Sequence, residues 1–123
     1  MRFAFIPTLL AVAMSGFAAA AQTTGDDEAR VQFEVGLELF EKGQFEQAAI
    51  AFARAYELKP SFKLLFNIAQ VENELGHYAA ALDAYSRYLA EGGDQIEPAR
   101  QGEVRADIER LDALVGQIAV ETN

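Results

Sequence analysis

The stretch that decides the fold is GQFEQAAIAFARAYELKP, residues 43–60. Phe45, Ala48, Phe52 and Ala55 recur at intervals of three and four, so they share one face of a helix. That face alternates large and small. A helix that only covers a core has no need of such alternation. One whose neighbours approach closely does, because an alanine admits the partner backbone and the adjacent phenylalanine fills the space left over. Gly43 stands where a left-handed cap ends a preceding helix. Pro60 stops the quoted helix by pushing Lys59 out of the helical region.

Working outward, the pattern predicts a helix from about Asp27 to Lys42, opened by Asp26 or Asp27 as its cap. Val31, Val35 and Leu39 lie on one side of it, and Phe33, Leu37 and Phe40 on another. A third helix starts near Ser61 and carries Leu64, Ile68, Val71 and Leu75 before Gly76 ends it. A fourth runs from about His77 to Ala90 with Tyr78, Ala81, Tyr85 and Tyr88 in its stripe, and Gly92-Gly93 breaks the chain. A fifth opens near Pro98, which a first turn tolerates. Its apolar face is Val104, Ile108, Leu111 and Val115; its charged face is Arg100, Glu103, Arg105, Asp107, Glu109 and Arg110. After Gly116 the period changes to two, and QIAVET reads as a short terminal strand.

Residues 62–94 repeat residues 29–61. At an offset of 33, Phe33 falls on Phe66, Glu41 on Glu74, Gly43 on Gly76, Ala48 on Ala81, Ala51 on Ala84 and Arg54 on Arg87. Arg30 pairs with Lys63, Val35 with Ile68, Phe45 with Tyr78 and Phe52 with Tyr85. Turns match turns and stripes match stripes, which is the mark of a repeat architecture. The units resemble tetratricopeptide repeats. The first carries that family's pattern at Gly36, Gly43, Phe45, Ala48, Phe52, Ala55 and Pro60, and the second at Ala69, Gly76, Tyr78, Ala81 and Tyr85. The second departs at Tyr88 and Gly93, where the pattern has a small residue and a proline; the first lacks the early tryptophan, having Gln32, and has Leu39 where tyrosine is usual. The expected fold is therefore all-α: two helix-turn-helix units, 29–61 and 62–94, a capping amphipathic helix over 95–115, and a strand-like tail over 116–123. Two units are fewer than the three such stacks usually need, which gives the capping helix its role.

Ahead of the repeats, residues 1–21 have the layout of a secretory signal peptide: Arg2, an apolar run from Phe3 to about Met14, and Ala19-Ala20-Ala21 at the end. Pro7 and Gly16 interrupt the run, and it is short for a span of roughly 20 residues, which weighs against a retained anchor. Residues 22–28 read as a flexible leader. Cleavage near Ala21 would leave nine basic against 19 acidic side chains, a balance unsuited to nucleic acid or anionic lipid. The chain has no cysteine, so thiol chemistry and disulfides are excluded.

No catalytic constellation is visible. His77 is the only histidine and sits in a turn, where a polar surface residue is expected. Neither Ser61 nor Ser86 is marked as a nucleophile, no metal-ligand spacing occurs, and Gly92-Gly93-Asp94 lacks the ending of a phosphate loop. No enzyme activity and no cofactor are expected. The resemblance implies instead a concave groove lined by the first helix of each unit, holding a protein or peptide segment. The matching positions are Arg30, Phe33, Leu37 and Phe40 in the first unit and Lys63, Phe66, Gln70 and Asn73 in the second. Two aromatics flanked by two cations suit an apolar or acidic segment; the competing expectation is that the aromatics are core. Asn67 is expected to make a structural helix-to-helix hydrogen bond. The reading is an exported interaction module of a bacterial periplasm or envelope, an adaptor or assembly factor, with self-association open. Its alternative is an N-terminal regulatory or targeting part of a larger envelope enzyme or transport machine.

Overall fold

A computed structural model describes residues 15–121 of the chain. It is built of α1 (Ser15–Glu41), α2 (Phe45–Leu58), α3 (Phe62–Glu74), α4 (Tyr78–Gly92), a one-turn 3-10 helix (Gly93–Gln95) and α5 (Pro98–Glu121). Helices α1 and α2 pack as one hairpin, α3 and α4 as the next, and α5 lies against α4. This is the packing of a tetratricopeptide-repeat α-solenoid.

The turns explain the hairpins. Gly43 and Gly76 have φ of 73° and 76°, a region that costs other residues roughly 1–2 kcal/mol. Around them the same bonds close both turns. Gly43 N–H donates to the Phe40 carbonyl at 3.0 Å and Gln44 N–H to Leu39 at 2.9 Å; Gly76 donates to Asn73 at 3.1 Å and His77 to Glu72 at 2.9 Å. The Gln44 and His77 bonds run five residues back, as in a Schellman cap. Lys59, before Pro60, is extended (φ −147°, ψ 90°), and α2 ends at Leu58.

The repeat is visible in packing as well as in sequence. Phe33 meets Phe52 with ring centroids 6.1 Å apart, and 33 residues on Phe66 meets Tyr85 at 6.0 Å. Ala48 and Ala81 are both fully buried. One core cluster is centred on Phe52 with Ala48, Ala55, Leu64 and Val71; the other joins Leu65, Ala69, Ala81, Tyr85 and Tyr88 to Ile96, Val104 and Leu111. Leu64 and Val71 of α3 belong to the first cluster, so the second unit closes the core of the first. Gly36 marks a close approach: a Cβ there would lie 2.5 Å from the Phe52 ring. The small position therefore faces the phenylalanine itself, not only the alanines beside it.

Two expectations are corrected. Residues 22–28 are not a loop but part of α1, and Asp26 and Asp27 are not caps. Asp26 pairs with Lys59 at 3.2 Å and Asp27 with Arg30 at 3.5 Å, so acidic residues that suit a helix start serve mid-helix as ion-pair partners. Residues 116–121 are not a strand: α5 continues to Glu121 through Gly116. A strand needs a paired edge, and among the described residues there is no other strand to supply one. The helix needs none, since its bonds are internal. Of the expected signal peptide, residues 1–14 lie outside the described residues, as do 122–123 of the tail.

Tyr85 makes the core pH-sensitive at the alkaline end. It is 3% exposed, and burial, reinforced by the Asp107 carboxylate, pushes its hydroxyl up to about 12 from the usual 10. The folded state thus holds the proton that the unfolded chain releases above pH 10. Stability from this group is complete below pH 10 and falls as pH rises towards 12, by at most about 2–3 kcal/mol. Urea midpoints measured from pH 9 to 12 should drop accordingly, and Tyr85→Phe should flatten the drop.

Candidate functional site

The first helices of the two units present an inner face, and the structure divides the predicted groove residues into two groups. Arg30, Phe33 and Lys63 come together around a pocket of about 470 Å³ with Asp26, Asp27, Ala29, Lys59, Ser61 and Leu64. Lys63 and Phe66 line a second pocket of about 320 Å³ with Phe62, Tyr88, Gln95, Ile96, Glu97 and Arg100. Lys63 belongs to both, which links them into one trough from the middle of α1, across the start of α3, to the start of α5. Leu37, Phe40, Gln70 and Asn73 line neither pocket. Phe40 is instead packed edge-on against Phe45 at 5.2 Å, bracing the α1–α2 turn.

Both aromatics are partly core. Phe33 leans on Phe52, and Phe66 leans on Tyr85 and on Tyr88 at 5.4 Å, and both rings remain partly exposed. The Arg100 guanidinium sits over the Phe66 ring, 4.2 Å from its centroid, which corrects its assignment to the outer face of α5. Arg100 stands one turn before Val104 and so falls on the inward side; the i, i+4 spacing carried that information. Lys59 and Ser61 were not predicted because they flank Pro60, in a connection with no period to read. Asn67 is half-buried, and its side chain makes no hydrogen bond among the described residues, so the expected helix-to-helix bond is not formed.

The charges are unevenly satisfied. Arg30 has Asp27 at 3.5 Å, Lys59 has Asp26 at 3.2 Å and Arg100 has Glu103 at 3.7 Å. Lys63 has no carboxylate within ion-pair range among the described residues. Among the described basic side chains Lys63 and Arg105 are the two without such a partner, and of these Lys63 lines the trough. His77, read as a surface turn residue, is exposed and its Nδ1 lies 2.7 Å from Glu72. Among the described residues no group of three His, Cys, Asp or Glu could hold a metal, and no helix is long and apolar enough to cross a membrane.

With this geometry in hand, the comparison with known families is direct. The model of the tetratricopeptide repeat family matches residues 29–62, the first hairpin and the residue that opens α3. The second hairpin repeats the first in turn geometry, ring pairing and buried alanines, so the two hairpins share one helical-repeat architecture. Such repeats are protein–protein interaction modules. No curated protein matches the chain.

Proposed function

We propose that the protein is an exported interaction module of a bacterial periplasm or envelope, an adaptor or assembly factor that holds a segment of a partner protein in the trough between α1, α3 and the start of α5. The observation that carries this reading is Lys63, shared by both pockets and without an acidic partner in an acidic chain. An extended segment laid across the trough offers apolar side chains to the exposed edges of Phe33 and Phe66, and a carboxylate to Lys63 with Arg30 and Arg100 on either side. Adjacent helices lie 8–10 Å apart, so successive contacts fall about three extended residues from one another. The sequence layout of residues 1–21, which reads as a signal peptide, supports the compartment.

Lys63→Glu tests it without touching the core, because Lys63 is exposed. Fluorescence anisotropy with a panel of labelled acidic-apolar peptides should show binding that weakens at least about tenfold in the variant, roughly 1.4 kcal/mol. Binding should also weaken with added salt. Equal affinity in wild type and variant would remove the trough from consideration. Phe33→Ala with Phe66→Ala is the poorer test, since each ring also supports the fold.

A further inference from the structure

The two repeated cations of the trough differ in what stands three residues before them. Arg30 is preceded by Asp27 and holds it at 3.5 Å; its counterpart Lys63, 33 residues on, is preceded by Pro60. Asp26 and Lys59 also share one place in the repeat, with opposite charge, and they pair with each other at 3.2 Å. All five of these charged groups line the pocket of about 470 Å³. Glu28, the next acidic residue, is held by Arg54 at 3.1 Å and does not line it. Three cations therefore face two carboxylates, each carboxylate sits on one cation, and Lys63 is left over. The apolar part of the lining is Ala29 and Leu64, both buried, and the partly exposed Phe33.

We infer that Asp26 and Asp27 set the specificity of the trough: they mask Lys59 and Arg30, so the trough reads a single carboxylate of its partner segment, at Lys63, and gains little from a second acid on the α1 side. This rests on the trough being the binding site. A carboxylate arriving at Arg30 or Lys59 meets a cation already matched. It must displace the aspartate or lie beside it, with two like charges close together. At Lys63 neither cost arises. The apolar lining then takes a side chain next to that one acid, so the preferred segment is an acid among apolar residues and not an acidic run. The masks are weakly held. The four paired side chains are between 48% and 69% exposed, and exposed ion pairs contribute little to stability. Neutralising both aspartates thus frees two cations, leaving three against none, without disturbing the fold.

Asp26→Asn combined with Asp27→Asn is the test, read by fluorescence anisotropy on the full chain. The probes are short labelled peptides of Leu, Ala and Gly carrying one Glu, the same peptides with a second Glu about three residues to either side, and the Gln analogue of each. In wild type the second Glu should tighten binding by less than about twofold. In the double variant it should tighten binding at least about fivefold, with a steeper loss on adding salt. Adding Arg30→Gln and Lys59→Gln to the double variant should remove that gain. Circular dichroism and the urea midpoint of the double variant should stay close to wild type. A second Glu that strengthens binding equally in wild type and in the double variant, or in neither, would overturn the inference. Lys63→Glu keeps that outcome separate from the trough itself, since it weakens the single-Glu peptide in either case. Wild type that binds none of the peptides, or binds the Gln analogues as tightly, would overturn the trough reading and this inference with it.

Discussion

Phe52→Ala is expected to lower the unfolding free energy by about 3–5 kcal/mol, the range for removing a large aromatic side chain from a packed interior. Phe52 is 1% exposed and stands at the middle of the first core cluster. Its ring touches Phe33 and closes over Gly36, so deletion empties the space between both helices of the first hairpin and the start of the second. A domain of this size has only about 5–15 kcal/mol in all, and the chain has no disulfide to offset the loss. Urea unfolding followed by circular dichroism would measure it, and a loss below about 1 kcal/mol would mean that the surrounding helices collapse into the space. Gly36→Ala probes the same contact from the other side. The added methyl meets the ring at 2.5 Å, an overpacking cost of about 1–3 kcal/mol against a helix-propensity gain of about 1 kcal/mol. The net effect should be destabilising. Combining it with Phe52→Leu should be less damaging than the sum of the two changes, since the smaller side chain makes room for the methyl.

The second large effect is expected at the other end. Leu111 is fully buried, and with Val104 it holds α5 over Ala81, Ala84, Tyr85 and Tyr88. Leu111→Ala should cost about 2–5 kcal/mol. Without α5, the second unit would expose the face that a third repeat would cover. Repeat stacks are held by nearest-neighbour interfaces, so the loss should appear first in α5 and α4. Hydrogen exchange should show protection falling there before it falls in α1 and α2. Uniform loss of protection across all five helices would show instead that the stack unfolds as one cooperative unit.

The sequence by itself determined the helices between Gln44 and Leu111 and the order in which they pair. Gly43, Gly76 and Pro60 fix local backbone geometry, and the alternation of Ala48, Phe52 and Ala55 specifies a close approach, so residue type alone carries the information. The terminal segments were misread for one physical reason. Residues 22–28 and 116–121 have weak local preferences, and the choice between loop, strand and helix there depends on what continues through them or pairs with them. Asp26 on α1 pairs with Lys59, and among the described residues there is no strand edge for residues 116–121 to join.

The candidate site was legible in part. A 33-residue offset brings out Arg30, Phe33, Lys63 and Phe66, because repetition preserves register. It cannot say which of eight inward-facing positions converge, and the structure gathers Arg30, Phe33, Lys63 and Phe66 while leaving Leu37, Phe40, Gln70 and Asn73 apart from the trough. Lys59 and Arg100 enter from a connection and from the capping helix, elements far apart in sequence. That Lys63 lacks a counter-charge is likewise a tertiary fact. Ion pairing depends on distances of a few ångströms between side chains on different helices, and no pattern along one chain encodes them.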